Sequence, residues 1–108
     1  MDQREAVRVP VRVRAQCKVP GLVIDGLVED VSRSGAFLAA QGQLDPGSSV
    51  ELDLELPGED ALVQLSAEVV RVETDERHGM GLRFADDALA LAARRPLANF
   101  IMRQHQAR

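Results

Sequence analysis

Two short polar motifs carry residue types that can recognise a nucleotide. Arg4 and Arg8 form the first motif, and the second begins at Asp30, 22 positions after Arg8, and includes Ser32 and Gly35. A guanidinium plane stacks on a flat purine ring, and its forked donors fit the O6 and N7 acceptors of guanine or a phosphate. A carboxylate can accept from the N1–H and N2–H edge. The two motifs therefore hold the chemical complements of a guanine nucleotide.

Each motif also has a purely structural interpretation. The arginines alone can continue the solvated face of a strand, and Asp30 with Ser32 can close an Asx-turn. The Ser32 hydroxyl can bond either a base edge or its own backbone. Gly35 is expected to supply unusual backbone angles in a turn that brings this loop close to another part of the chain.

The spacing of the arginines predicts how they would bind a ligand. In an extended segment, residues four apart lie about 13 Å from each other on the same side. Arg4 and Arg8 would then grip different parts of one ligand. We predict that residues 1–8 form a flexible N-terminal arm, so that Arg4 becomes ordered on binding.

Alternating apolar and polar residues predict the first strand over residues 7–19. The odd positions are Val, Ala or Cys, and the even positions are mostly charged, so one face lies on a core and the other in water. Pro10 lacks an N–H donor, which predicts a sheet edge at this end of the strand. Cys17 falls on the inward face and is predicted to be a small core residue.

Five further strands are predicted at residues 22–31, 36–40, 50–56, 61–73 and 78–85. Pro-Gly pairs at 20–21, 46–47 and 57–58 mark turns between them. Six short strands without intervening helices favour a sandwich or a closed barrel. In the fourth strand, Glu51, Asp53 and Glu55 alternate with apolar residues and are predicted to be solvated side chains that protect an edge.

Residues 86–106 change to a helical period. Asp86 or Asp87 is a plausible N-cap, and Pro96 predicts a kink or a fresh helix start. An apolar stripe is expected to pack against the barrel or a partner through Leu89, Ala92, Leu97, Phe100 and Ile101. An alternative is that Leu89, Leu97, Phe100 and Ile101 mediate self-association.

Length and composition indicate one modest domain over residues 1–108, with residues 7–85 as its β-portion. The net charge is −4, yet residues 1–20 carry +3, so an anion would be drawn to that end.

A single cysteine and the lack of a long apolar run or leader predict a cytoplasmic chain without membrane insertion. No nucleophile–base set or metal-ligand spacing is present, so we expect no enzyme, no metal and no cofactor.

A barrel that binds nucleic acid is the main rival at the level of the fold. Single-strand binders present aromatic side chains in a basic groove. This acidic chain has three Phe, no Trp and no Tyr. We therefore expect no nucleic acid among its partners.

The order and spacing of the two motifs resemble the PilZ domain family, whose signature is R-x-x-x-R followed by [D/N]-x-S-x-x-G. The matching residues are Arg4, Arg8, Asp30, Ser32 and Gly35, and the segment 81–84 is similar to the last strand of the family. The resemblance implies an all-β fold, a six-stranded antiparallel barrel with a C-terminal α-helix.

The same resemblance implies a receptor for the bacterial second messenger cyclic di-GMP, held by these five residues. An unidentified protein partner in motility, exopolysaccharide or biofilm control would receive the signal. Some family members do not bind the ligand and act as adaptors in pilus or motility machinery, and that alternative stays open. Gln3 stands where many members have another Arg, so the ligand stoichiometry is also open.

Overall fold

The computed structural model describes residues 8–58, 62–85 and 88–106, and for 88–94 and 106 the description covers the backbone. All six predicted strands and the C-terminal helix are found within a few residues of their expected bounds. They are β1 Val9–Val19, β2 Leu22–Val31, β3 Gly35–Ala39, β4 Ser49–Leu54, β5 Val63–Glu73, β6 Gly79–Phe84 and α1 Ala88–Gln106.

The strands form one closed antiparallel barrel in the order β1-β2-β3-β6-β5-β4, and β4 pairs again with β1. The barrel settles the choice that strand patterns alone left between a sandwich and a closed sheet. The register of β4 with β1 covers Ala15–Lys18. Pro10 lies in the other half of β1 and pairs with β2 there. Among the described residues, the register with β4 does not extend to Pro10.

The core follows the predicted alternation of β1. The core contains Val9, Val13, Ala15 and Cys17, together with apolar residues from each of the other five strands. Short turns connect β1 to β2 and β2 to β3, and in the β1–β2 hairpin Gly21 has φ of 81°. That left-handed conformation favours glycine after proline in a type II turn.

The helix α1 closes one side of the barrel and packs mainly on β5. Leu97, Phe100 and Ile101 are buried within the single chain, so these three residues do not form the self-association surface considered above. Of the two alternatives predicted at Pro96, the fresh helix start is wrong, because α1 is one helix through that residue. Burial of the following turn holds the helix together although proline removes one hydrogen bond.

Several predictions about this segment lie outside the described residues. Asp86 and Asp87 are among them, as are the side chains of Leu89 and Ala92. Within the described part of the chain, no helix combines the length and the apolar content needed to span a bilayer.

The prediction that Asp53 is solvated was wrong. Its carboxylate is buried, lies 2.5 Å from Nζ of Lys18 and accepts from Nε2 of Gln64 at 3.2 Å. The cause is barrel closure: β4 has a neighbour on each side, and Asp53 pairs across to Gln16 on β1 and Gln64 on β5. Outward-facing side chains from both neighbours cover it.

Candidate functional site

A bulge in β2 determines where Asp30 points. The register between β2 and β3 shifts between Val28 and Asp30, which leaves Glu29 as an extra residue. Val28 and Val31 are both buried in the core. Because strand side chains alternate, Asp30 would share the inward face with Val28 if the strand were regular. The bulge turns the carboxylate to the outside of the barrel.

A second bulge reorients the end of β5. Its register with β6 shifts between Val69 and Arg71, so Val70 is the extra residue. Odd-numbered residues up to Val69 point into the core, as the sequence predicted. Beyond the bulge Val72 packs against the core, and the charged side chains of Arg71 and Glu73 point outward.

Phe37 lies at the centre of the surface that these bulges create. Its neighbours Ala36 and Leu38 belong to the core, so the Phe37 ring points outward, yet it is fully buried. The guanidinium carbon of Arg77 lies 3.6 Å from the ring centroid, and that of Arg71 lies 5.9 Å away. A cation over a ring face at such distances is attracted by its quadrupole. The two arginines cover an aromatic ring on the outside of the barrel.

The strand β6 leaves space for this arrangement because two of its outward positions are glycines. A Cβ on Gly79 would lie 2.1 Å from the carbonyl oxygen of Leu38 and 2.9 Å from Cζ of Phe37. A Cβ on Gly81 would lie 2.9 Å from Nη1 of Arg71. The bare strand therefore lets the ring and an arginine lie against it.

The Asp30 carboxylate is shared between two arginines. One oxygen accepts from Nη1 of Arg8, and the other lies 3.6 Å from Nη1 of Arg77. Arg77 also lies 3.5 Å from Glu29, and its Nε donates to Glu73 at 3.2 Å. The Asp30 side chain retains 23% exposure and that of Arg8 48%, so the pair remains open to a ligand.

Glu73 completes the network. Hydrogen bonds from Arg71, at 2.9 Å, and from Arg77 lower the pKa of this carboxyl below its ordinary value. It therefore stays charged under mildly acidic conditions. We use the name Phe37 face for the outer surface formed by Arg8, Glu29, Asp30, Phe37, Arg71, Glu73 and Arg77.

Ser32 and Gly35 close the turn that follows Asp30. The Ser32 N–H donates to the Gly35 carbonyl at 2.8 Å, and the buried Ser32 hydroxyl accepts from the N–H groups of Ser34 at 3.1 Å and Gly35 at 3.3 Å. Of the two roles considered for this hydroxyl, the structure shows bonding to its own backbone.

The reason for glycine at position 35 differs from the predicted one. Gly35 is not among the glycines with positive φ, so the expected unusual backbone angles were wrong. A Cβ there would lie 2.2 Å from the carbonyl oxygen of Leu82 on β6. Glycine is needed because β3 and β6 approach closely at this position. The predicted close approach to another part of the chain is therefore confirmed.

The structure brings Arg8 into direct contact with Asp30 and puts the Ser32–Gly35 turn directly after it. Arg4 lies outside the described residues. Sequence reasoning missed Phe37, Arg71 and Arg77, because strand alternation gives no signal for the bulges that gather them. The available signal was the pair of glycines two apart on the last strand, at positions 79 and 81.

The remaining candidates for chemistry have structural roles. Cys17 is buried in the core as predicted, and burial raises the pKa of its thiol to about 11, which disfavours the reactive thiolate. Among the described residues, no cluster of His, Cys, Asp and Glu has the arrangement to hold a metal ion.

Comparison with known proteins gives one consistent answer. The model of the PilZ domain family matches residues 2–103. The Bacillus subtilis inhibitor of motility, MotI/DgrA, is similar in structure with a TM-score of 0.75 and 26% identity, over 100% of this chain and 54% of that one. This chain thus spans about half the length of the Bacillus protein. No curated protein sequence matches the chain.

Two isolated domains share the fold. The PilZ domain of YcgR from Escherichia coli, solved with c-di-GMP, has a TM-score of 0.69 and 11% identity, over 98% of this chain and 97% of that one. The PilZ domain of CeSA from a cellulose-synthesizing bacterium has a TM-score of 0.64 and 21% identity, over 84% and 93%. At these identities the likeness extends to the barrel and its helix.

Proposed function

The chain belongs to the PilZ domain family, and from that premise we propose that it binds cyclic di-GMP and relays the level of this messenger to a protein partner. The proposed ligand residues are Arg4, Arg8, Asp30, Ser32 and Gly35. The observation that supports this most strongly is the contact between Arg8 and Asp30, from two motifs 22 residues apart, on a partly exposed outer surface.

The electrostatics of Asp30 suit guanine recognition. An ionised carboxylate offers about four acceptor positions, and the two arginines near Asp30 approach one oxygen each. Acceptor capacity is left for the N1–H and N2–H donors of a guanine. Arg8 is half exposed and can turn its fork toward a phosphate or toward O6 and N7 while it stays beside the carboxylate.

The relay in this proposal starts from the position of the two motifs. Arg8 precedes β1 and the Ser32–Gly35 turn follows β2, so a ligand bound by both would connect two ends of neighbouring strands and bring Arg4 to the same place. That change would favour one form of the surface over another and so alter partner binding. The proposed receptor works in the cytoplasm, in the control of motility, exopolysaccharide production or biofilm formation.

What two of the similar proteins bind or do supports the proposal. The YcgR domain was solved with c-di-GMP, and the Bacillus relative is an inhibitor of motility.

Isothermal titration with cyclic di-GMP tests ligand binding. We expect wild type to bind, and Arg8→Ala and Asp30→Ala each to weaken binding about 10-fold to 100-fold, because each removes a charge-assisted hydrogen bond. Arg14→Ala is the matched control. Arg14 is an exposed arginine of β1, the strand that follows Arg8, and the described part of the chain shows no ion pair for it. A flat titration of folded wild type would contradict the proposal.

A second candidate function is that of an adaptor that does not bind the ligand. The favouring observation is that two arginines of the chain itself pair with Asp30, so the motifs are self-consistent as structure. Partner capture with and without cyclic di-GMP separates the two. Capture that changes with the ligand and is lost in Arg8→Ala supports the receptor, whereas capture indifferent to both supports the adaptor.

A further inference from the structure

The aromatic ring of the Phe37 face needs an explanation beyond barrel stability. Most buried apolar side chains of the described residues belong to the core cluster, whereas Phe37 points outward and is buried between the β6 backbone at Gly79 and the side chains that cover it. One of these is the guanidinium of Arg77, whose carbon lies 3.6 Å from the ring centroid. That separation is the one expected for two stacked planar groups in contact.

The Arg77 guanidinium is fixed in place from its edges. Its Nε donates to Glu73 at 3.2 Å, and its Nη1 lies 3.5 Å from Glu29 and 3.6 Å from Asp30. Three carboxylates from β2 and β5 therefore hold a group that projects from the β5–β6 turn. The Arg77 side chain remains 37% exposed, so part of it is open to solvent.

We propose that Phe37 and Arg77 together form a stacking plate for one purine base of the ligand, and that Arg77 is a further ligand-binding residue of this site. The inference rests on the proposed function. The base lies on the outer side of the Arg77 plane and directs its N1–H and N2–H edge at Asp30. One side chain thus connects the stacking surface to the carboxylate that reads the base.

The fixed geometry favours a plate over a plug. A plug would be an arginine that occupies the place of the base and must leave before binding. Its departure would break contacts to Glu29, Asp30 and Glu73 at once and would expose the Phe37 ring. A plate keeps all of these contacts, and because it is held in position beforehand, little side-chain entropy is lost on binding.

Arginine suits this role and lysine does not. A guanidinium is planar and stacks on both of its faces, whereas an ammonium supplies charge without a plane. Arg77→Lys retains a cation beside Glu73 and removes the plate, while Arg77→Ala removes both. The two variants therefore separate stacking from charge.

Titration of the full chain with cyclic di-GMP tests the plate. We expect both Arg77→Lys and Arg77→Ala to weaken binding on the order of 10-fold to 100-fold, the range for loss of one base stack. Arg103→Lys is the matched control, since Arg103 lies on α1 and donates to the Pro57 carbonyl; we expect its affinity to equal that of wild type. Thermal unfolding of each variant verifies that the barrel is intact.

Four outcomes overturn the inference. Wild-type affinity in Arg77→Lys would show that charge suffices, and tighter binding by Arg77→Ala would show that Arg77 is a plug. Each of these leaves the proposed function standing. No binding by folded wild type would overturn the proposed function and the plate together. As a second variant, Phe37→Leu removes the ring under the plate, and a folded Phe37→Leu chain with wild-type affinity would contradict the plate.

Discussion

Asp53 and Asp30 both point outward from the same barrel, and their surroundings differ in every respect that matters for binding. Asp53 lies on a regular strand, is 3% exposed, and has Lys18 at 2.5 Å and Gln64 at 3.2 Å. Asp30 follows a bulge, retains 23% exposure, and shares its oxygens between two arginines.

The difference shows how one fold separates a structural charge from a binding charge. Regular pairing on both sides encloses Asp53, so its partners are fixed and no ligand can reach it. Near Asp30 the bulges open the surface and the bare glycines of β6 make room for an aromatic ring and planar cations. Accessible acceptors next to stacked planar groups are what a nucleotide base requires.

The largest expected effect comes from filling the space that distinguishes the Phe37 face. Gly79→Ala places a Cβ against the Leu38 carbonyl oxygen, at 2.1 Å, and against Phe37. We expect a loss of about 3 kcal/mol in the free energy of unfolding, measured by denaturant titration.

Gly81→Ala is the control for that change. Its Cβ meets only the flexible Arg71 side chain within close range, so we expect a loss below about 1 kcal/mol. Equal losses in the two variants would show that β6 adapts freely and that its glycines do not shape this surface.

Exchange of each aspartate for asparagine sharpens the comparison. Asp53→Asn removes the buried charge that pairs with Lys18. We expect the free energy of unfolding to fall by about 2 kcal/mol and the affinity for cyclic di-GMP to stay unchanged. Asp30→Asn should change stability by less than about 0.5 kcal/mol, because its ion pairs are partly exposed, and should lower the affinity. Denaturant and ligand titrations of both variants measure this; a reversed pattern would mean that the two sites have been assigned the wrong way round.

The smallest expected effect is the acid titration of Glu73. Its folded-state pKa is lowered by hydrogen bonds from Arg71 and Arg77, so its contribution to stability is present above the ordinary carboxyl pKa and is lost as the pH falls through the lowered one. Carbon-detected NMR of the side-chain carboxyl should show a midpoint below 4.5, the ordinary value. Arg71→Ala should move this midpoint upward. Titration of Glu73 at its ordinary pKa in wild type would contradict the hydrogen bonds from Arg71 and Arg77 to this carboxyl.

The sequence predicts regular features of this barrel well. The alternation in β1 is visible because its buried side chains follow period two. The bounds of β2 are visible because turn residues flank it on both sides. That Arg8 and Asp30 lie on one surface was expected, because the family resemblance implies that both hold one ligand; their direct ion pair was not predicted.

What the sequence does not predict depends on contacts between distant strands. Nothing local marks Glu29 or Val70 as an extra residue, since a bulge is defined by the partner strand. The outward direction of Phe37 and the burial of Asp53 were missed for the same reason: each is set by what the neighbouring strands place over it.

NMR mapping of cyclic di-GMP onto the full chain tests the central claim most directly, because it compares the two regions in one experiment. We expect the largest amide shifts at Arg8, in residues 29–37 and in residues 71–81, with little change around Lys18, Asp53 and Gln64. Shifts concentrated around Asp53, or none with folded protein in saturating ligand, would contradict the claim that the bulged face of the barrel is the binding surface.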